Sequence, residues 1–177
     1  MQHDLEKILL DAKRISARLD ILAAQITEHY RGKDLTVLAL LNGSVIFMAD
    51  LLRRIPLPLQ LDCLPVKSYY GGTMTTGRVK FDHKALPDLT GRHVLVLDDI
   101  LDSGHTLAAI IGMLRHEANP LSVKSCVFLQ KLKERSRPVE ADYVGFDIQD
   151  KFVVGYGLDY QEKYRNLPFI GVLKQGS

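Results

Sequence analysis

Apolar and polar positions alternate in ways that predict most of the regular structure in the first third of the chain. Through residues 4–29, apolar side chains recur at helical spacing, which predicts one amphipathic helix that stops near Gly32. An uninterrupted apolar run then predicts a strand buried on both faces, and a helix and a more regularly alternating strand follow it. These three predicted elements are Leu35–Leu41, Val45–Arg54 and Leu59–Val66.

Strands and helices also alternate in the middle of the chain. The predicted elements there are a strand over Val94–Leu97, a helix over about Thr106–Glu117 and a strand over Val123–Leu129. This order predicts an α/β fold with a mostly parallel twisted sheet flanked by helices, in a single domain over residues 1–177. The last third contains short aromatic segments, which predict a final sheet strand and then a small subdomain. We expect a core over about 33–150, with the subdomain formed from about 1–32 and 151–177.

Composition and charge exclude several classes of protein. The chain has 177 residues, of which 46% are hydrophobic and 25% charged, the usual balance of a globular domain. A formal net charge of +2 gives no argument for nucleic acid or a membrane as partner. No apolar run approaches the ~20 residues that span a bilayer, and the charged N-terminus is not a signal peptide. Cys63 and Cys126 stand alone in strand-like segments, which favours a reduced, cytoplasmic compartment.

The most informative segment joins a buried strand to a helix through acidic and small residues. Asp98 and Asp99 follow the predicted strand, and Asp102 comes one turn later. Ligands of open α/β sheets bind at the carboxyl ends of strands, so these carboxylates should converge on a crevice. Residues 103–106 lead into a helix N-terminus, which suits a phosphate. A ribose phosphate with Mg²⁺ would satisfy the whole segment, but response-regulator and phosphatase domains also place Asp at strand ends.

The complete string from His93 to Leu107 resembles the 5-phosphoribosyl 1-pyrophosphate (PRPP) motif of the type I phosphoribosyltransferases. The order is the same: a hydrophobic strand, two acids, two aliphatics, then Asp, Ser or Thr, Gly, any residue and Thr. Four further segments, in order between about residues 35 and 173, resemble one branch of that family, the hypoxanthine-guanine phosphoribosyltransferases. The resemblance implies the type I phosphoribosyltransferase fold, in which the small subdomain forms a hood.

For the PRPP motif, the resemblance implies a role for each acidic residue. Asp98 and Asp99 would hold the ribose 2′- and 3′-hydroxyls, directly or through Mg²⁺, and Asp98 stands where relatives usually have Glu. Asp102 would be the catalytic residue, as proton acceptor or hydrogen-bond partner at purine N7. The 5′-phosphate would lie in a cradle formed by Asp102, Ser103, Gly104, His105 and Thr106.

Pyrophosphate contacts are implied at two places. The turn that begins at Leu41 and continues through Asn42 and Gly43 resembles the pyrophosphate loop of the family, in which the peptide before the second residue is often cis. Asn42 replaces a Lys found in many relatives, so binding there would use backbone N–H groups. Without the family, the turn is a plain strand-to-helix connection with Ser44 as the N-cap. Arg165 would neutralise pyrophosphate at the second place.

Residues 150–160 resemble the purine-binding segment of the family. Phe152 would stack on the base, Val153 would bond the base edge through its backbone, and Asp159 would bind a second Mg²⁺. Lys131 resembles the lysine that contacts the O6 atom of the base, which favours 6-oxopurines over adenine. Without the family, these side chains would be a core aromatic, a turn or surface acid and a solvated lysine.

Residues 67–77 resemble the mobile loop that closes over the substrates of the family, with Ser68 and Tyr69 near its start. Closure would exclude water from a reaction centre of oxocarbenium character. Without the family, this segment is an ordinary surface hairpin loop.

Taken together, the resemblance implies a purine-salvage transferase that converts hypoxanthine or guanine and PRPP to IMP or GMP and pyrophosphate. It also implies Mg²⁺ as cofactor, small-molecule substrates and a homo-oligomer, either a dimer or a tetramer. The alternative from another class is a phosphoribosyltransferase-like regulator that senses nucleotides or PRPP. Such a regulator would need an added nucleic-acid module or a strongly basic face. The sequence does not rank hypoxanthine, guanine and xanthine.

Overall fold

The computed structural model describes residues 2–66 and 86–174. Within them, eight strands and three α-helices follow a short 3₁₀-helix at Gln2–Asp4. The strands are β1 (Leu5–Leu10), β2 (Leu35–Leu41), β3 (Leu59–Pro65), β4 (His93–Leu101), β5 (Ser122–Lys131), β6 (Tyr143–Ile148), β7 (Val153–Val154) and β8 (Ile170–Leu173). The helices are α1 (Ala12–Tyr30), α2 (Val45–Leu52) and α3 (His105–Glu117).

Five of the strands form the predicted parallel sheet, in the order β3-β2-β4-β5-β6. The central strand β4 pairs in parallel with β2 on one side and β5 on the other. Its apolar run Val94–Leu97 is fully buried, as expected for a strand covered on both faces. The strand continues through Asp98 and Asp99 to Leu101, so both acids lie within β4 and not after it.

Two hydrophobic clusters cover the two faces of this sheet. On one face, Leu22 of α1 and Phe47 of α2 share a cluster with Leu95 of β4. On the other face, Ile110 of α3 packs in a cluster with Val96 of β4. Leu95 and Val96 are neighbours in the chain, so their opposite directions follow from the two-residue period of a strand.

The terminal segments form a second, antiparallel sheet with the strand order β1-β8-β7. This sheet confirms a small subdomain, but the prediction of one helix through residues 4–29 is wrong at its start. Leu5–Leu10 is strand β1, paired with β8, and α1 begins only after Asp11, whose carboxylate accepts a hydrogen bond of 2.8 Å from the Arg14 N–H. Register shifts within β1 break the alternation of a regular strand, so its apolar positions imitate helical spacing.

Helix α1 packs where the two sheets meet. Its buried side chains share one cluster with Val37 and Leu95 of the parallel sheet and with Val172 of the small sheet. The helix therefore does not belong to the hood alone, and the division into a core over 33–150 and a hood stays a prediction. No helix in the described part of the chain combines the length and hydropathy that a membrane crossing requires.

Candidate active site

Asp98 and Asp99 lie side by side near the carboxyl end of β4, where Asp98 is buried and Asp99 half-buried. Asp98 accepts a hydrogen bond of 3.0 Å from the Asp99 N–H, and Asp99 accepts one of 2.8 Å from the Ile100 N–H. Burial, with the adjacent Asp99 carboxylate as the second cause, raises the pKa of Asp98 well above its usual value. Burial also raises the pKa of Asp99. Two adjacent carboxylates, one of them buried, need a cation or hydroxyl donors, so the pair suits Mg²⁺ or a ribose.

The turn after β2 packs directly against this acidic pair. The Leu41–Asn42 peptide is cis, which confirms that expectation from the resemblance. A Cβ atom added to Gly43 would lie 1.6 Å from Oδ2 of Asp99. A Cβ atom added to Gly157 would lie 2.1 Å from the Gly43 carbonyl oxygen. Glycine at both positions thus allows the turn, the acidic strand and the segment after β7 to meet.

Ser44 does not act as the side-chain cap that a plain turn would use. It occupies the N-cap position of α2, yet its buried hydroxyl donates a hydrogen bond to the Leu40 carbonyl instead. Asn42, next to the cis peptide, is exposed. The turn therefore leaves an exposed residue beside the acidic pair, where a ligand could contact it.

Arg165 lies near the acidic pair, and its guanidinium contacts three neighbouring groups. Its Nη1 donates a hydrogen bond of 2.8 Å to the Gly157 carbonyl, and its Nη2 lies 3.0 Å from Asp159 Oδ1 and 2.9 Å from Glu162 Oε2. The charge of Arg165 opposes the rise in the pKa of Asp99, so this cation lies near the acidic pair. Across residues 2–66 and 86–174, no three acidic, His or Cys side chains gather into one metal-binding group.

The predicted phosphate cradle lies between β4 and α3. Gly104 precedes α3 in the left-handed conformation, with φ of 84°, and a Cβ atom there would lie 2.4 Å from the Arg137 carbonyl oxygen. The Ser103 carbonyl accepts a hydrogen bond of 3.1 Å from the Arg137 N–H. Helix α3 begins at His105, followed by Thr106, and its N-cap glycine has no side chain to bond the first N–H groups. These donors are therefore available to an anion.

Asp102 follows β4 directly and is paired with two lysines. Its Oδ2 lies 3.0 Å from Nζ of Lys131, and its Oδ1 contacts Nζ of Lys133. Lys131, the last residue of β5, also lies 2.9 Å from Asp150 Oδ1. Burial opposes ionisation of Asp102, but hydrogen bonds from Lys133 and Lys131 outweigh it and hold its pKa below the usual value. Lys131 is only 9% exposed, so it is not a solvated surface lysine.

Phe152 and Val153 lie at the start of β7, in the small sheet. Phe152 is 54% exposed and meets Tyr160 edge-on, with ring centroids 5.6 Å apart, so it is not a core aromatic. Val153 is buried and pairs with Val172 of β8. An exposed ring beside a buried strand offers a flat surface for a ligand. Ser68 and Tyr69, predicted for the lid, lie outside the described residues.

Sequence reasoning missed three residues that shape the site: Lys133, Asp150 and Gly157. Lys133 lies two positions after Lys131, so the spacing of neighbours on one strand face could have indicated it. Gly157 belongs to a glycine pair with positive φ, at 101° for Gly155 and 102° for Gly157. No local signal marks Asp150, whose lysine partners are distant in the chain.

Phosphoribosyl transferases share three features with this structure: a parallel sheet with a terminal hood, an acidic strand end and an open helix N-terminus. The model of one family, the phosphoribosyl transferase domain, matches residues 6–161, and the chain belongs to this family.

More specific relatives carry the name hypoxanthine-guanine phosphoribosyltransferase. The protein of that name from Streptococcus pneumoniae strain R6 is 42% identical over 175 residues, which cover 99% of this chain and 97% of the relative. The one from Bacillus subtilis is 40% identical over 174 residues, covering 98% and 96%. A crystal structure of a hypoxanthine phosphoribosyltransferase from Staphylococcus aureus superposes with a TM-score of 0.92 at 42% identity, covering 98% of this chain and 94% of the other. The resemblance found in the sequence and the fold that it implies are confirmed.

Proposed function

We propose that this chain is a purine-salvage transferase that converts hypoxanthine or guanine and PRPP to IMP or GMP and pyrophosphate. The observation that carries the proposal is the pairing of Asp102 with Lys131, 3.0 Å apart, just before the open N-terminus of α3. A carboxylate acceptor and an ammonium donor side by side match N7–H and O6 of a 6-oxopurine. The helix N-terminus matches the 5′-phosphate of the ribose.

On the base side, the O6 and N7–H groups of a 6-oxopurine have partners of suitable chemistry. Lys131 would donate to O6, where adenine instead has an amino group that cannot accept a hydrogen bond. The exposed ring of Phe152 supports stacking, and the backbone of Val153 would bond the base edge. Asp102 stays ionised because Lys133 and Lys131 lower its pKa. A carboxylate with a lowered pKa is a weak base and a good acceptor, so we assign Asp102 the hydrogen bond to N7–H.

On the pyrophosphate side, Asp98 and Asp99 would hold the ribose hydroxyls and one Mg²⁺. Magnesium usually takes one or two carboxylates together with substrate oxygens, so these two acids suffice. When bound, the ion would neutralise charge on the leaving pyrophosphate. Asp159 would hold a second ion, which requires Arg165 to release the contact that they share at 3.0 Å. Arg165 would then pair with pyrophosphate.

Two further regions complete the proposed site. The backbone of Asn42 and Gly43 would bind pyrophosphate, and the cradle before and within the first turn of α3 would bind the 5′-phosphate. Residues 67–77, with Ser68 and Tyr69, would exclude water during the transfer. A homo-oligomer and a cytoplasmic location remain predictions from the resemblance.

The test is nucleotide formation from PRPP and Mg²⁺, with hypoxanthine, guanine, xanthine and adenine offered separately. We expect IMP and GMP with release of pyrophosphate, and little product from adenine. Efficient use of adenine would contradict the role of Lys131. Tight PRPP binding without any nucleotide product would favour a regulatory protein instead.

A further inference from the structure

Four charged side chains form a closed set of ion pairs on the base side of the site. We call this set, Asp102, Lys131, Lys133 and Asp150, the Asp–Lys square. Lys131 Nζ lies 3.0 Å from Asp102 Oδ2 and 2.9 Å from Asp150 Oδ1. Lys133 Nζ contacts Asp102 Oδ1 and lies 3.2 Å from Asp150 Oδ2. Each lysine therefore bridges both aspartates, and every carboxylate oxygen of the square has a lysine partner.

The square differs from ordinary surface ion pairs in the burial of Lys131. Exposed pairs contribute little to stability because water screens them and their side chains lose entropy. The side chain of Lys131 is only 11% exposed, compared with 50% for Asp150. A nearly buried ammonium needs its anionic partners, so their positions determine where Lys131 points.

Backbone contacts fix the geometry around the square. The Lys133 N–H donates to the Lys131 carbonyl at 3.1 Å, and the Leu132 N–H donates to the Ile148 carbonyl at 2.8 Å. These bonds hold the two lysines side by side and next to the β6–β7 connection that carries Asp150. Because Phe152 follows Asp150 by two positions, the same connection also carries the proposed stacking ring.

We propose that Lys133 and Asp150 are positioning residues that hold Lys131 and Asp102 ready for the purine, and so determine the affinity for 6-oxopurines. This inference rests on the proposed function and deepens it. An ammonium has three donors, and Lys131 uses two of them on Asp102 and Asp150, which leaves one for O6. Without Asp150, Lys131 keeps only Asp102 as an anionic partner. Without Lys133, Asp102 keeps only Lys131 as a cationic partner. Either change therefore holds one of the two base-facing groups less firmly.

The test is steady-state kinetics of Asp150→Asn and Lys133→Met, with hypoxanthine and PRPP varied separately. We expect each variant to raise the KM for hypoxanthine about tenfold, the effect of one charge-assisted hydrogen bond. The KM for PRPP and kcat should stay within about twofold, because the acidic pair is untouched. Lys133→Arg and Asp150→Glu should recover much of the lost affinity. The effect of the double variant should be less than additive, because either single change already removes the Lys133–Asp150 contact of the square.

A matched control is available at another ion pair of the parallel sheet. Lys124 lies 2.8 Å from Asp142, and its side chain is 31% exposed, the same fraction as Lys133. Lys124→Met and Asp142→Asn should therefore leave the KM for hypoxanthine unchanged. The inference is overturned if the square variants keep the unmodified KM for hypoxanthine, if the controls raise it equally, or if the only change is an apparent kcat that falls with the folded fraction. Absence of nucleotide formation by the unmodified chain would instead overturn the proposed function.

Discussion

Substitution of Gly43 by alanine tests the role of the acidic pair without replacing a charged residue. The new Cβ atom would lie 1.6 Å from Oδ2 and 2.5 Å from Cγ of Asp99. Ordinary carbon–oxygen contact is about 3.5 Å, so the carboxylate must move by roughly 2 Å. Gly43 is not among the glycines with positive φ, so its backbone accepts alanine and the contact with Asp99 is the main source of strain.

The expected loss of PRPP affinity follows from the hydrogen bonds that the Asp99 carboxylate would lose. A displaced carboxylate leaves the 2.8 Å hydrogen bond from the Ile100 N–H and also leaves the ribose hydroxyls that we assign to it. A hydrogen bond to a charged group contributes about 1.5–3 kcal/mol, which corresponds to a loss in PRPP affinity of about 10- to 150-fold. The unfolding temperature should fall by only a few degrees, at about 2–4 °C for each kcal/mol.

The assay is IMP formation with PRPP varied at saturating hypoxanthine and Mg²⁺, together with thermal unfolding of the same preparation. Gly112→Ala is the control: it adds the same methyl group within α3, where a Cβ atom meets nothing within 4 Å. That control should gain about 1 kcal/mol of stability from helix propensity and keep its KM for PRPP. A KM for PRPP within about twofold of the unmodified protein in Gly43→Ala would refute the reasoning.

Three further predictions concern single side chains. Lys131→Ala should raise the KM for hypoxanthine and guanine and reduce the preference for these bases over adenine, because a donor to O6 is lost. An unchanged preference in competition assays would contradict this role of Lys131. Phe152→Ala should cost about 1–3 kcal/mol of base affinity in calorimetry with an unchanged unfolding temperature, since the ring is 54% exposed; a loss of stability with normal affinity would contradict stacking. Burial raises the folded-state pKa of Asp98, so the fold loses stability as pH rises from the usual pKa of a carboxyl to that raised value. Asp98→Asn should therefore raise the unfolding temperature at pH 7, by about 2–4 °C per kcal/mol gained, and weaken PRPP binding. An unfolding temperature below that of the unmodified protein would contradict this prediction.

The sequence predicted the centre of the fold better than its edges. Strands β2, β4 and β5 are long apolar runs because both faces are buried, so composition alone marks them. Strand β1 was missed because its pairing with β8 contains register shifts and its partner lies at the other end of the chain. The end of β4 was also missed: once Asp98 and Asp99 enter the strand, apolar periodicity no longer reports it.

The candidate site likewise contains parts that the sequence could predict and parts that it could not. The PRPP motif is contiguous, so its acids and small residues could be interpreted together. The contact between Lys133 and Asp150 could not be predicted, because the two residues are 17 positions apart and no local pattern indicates that they meet. The contact of Gly157 with Gly43 is likewise visible only in three dimensions.

The pairing of β4 with β5 fixes the distance between Lys131 and Asp102, the two charged side chains that we assign to the purine. Gln130 of β5 pairs with Leu101 of β4, so Lys131 and Asp102 are the next residues on neighbouring strands. Parallel neighbours lie about 4.8 Å apart, so the sheet itself brings this lysine and this aspartate together. Phe152, which we assign to stacking on the base, directly precedes β7 of the small sheet instead. A shift between the two sheets would therefore weaken stacking and leave the Lys131–Asp102 pair intact, so base affinity and 6-oxopurine selectivity can change independently.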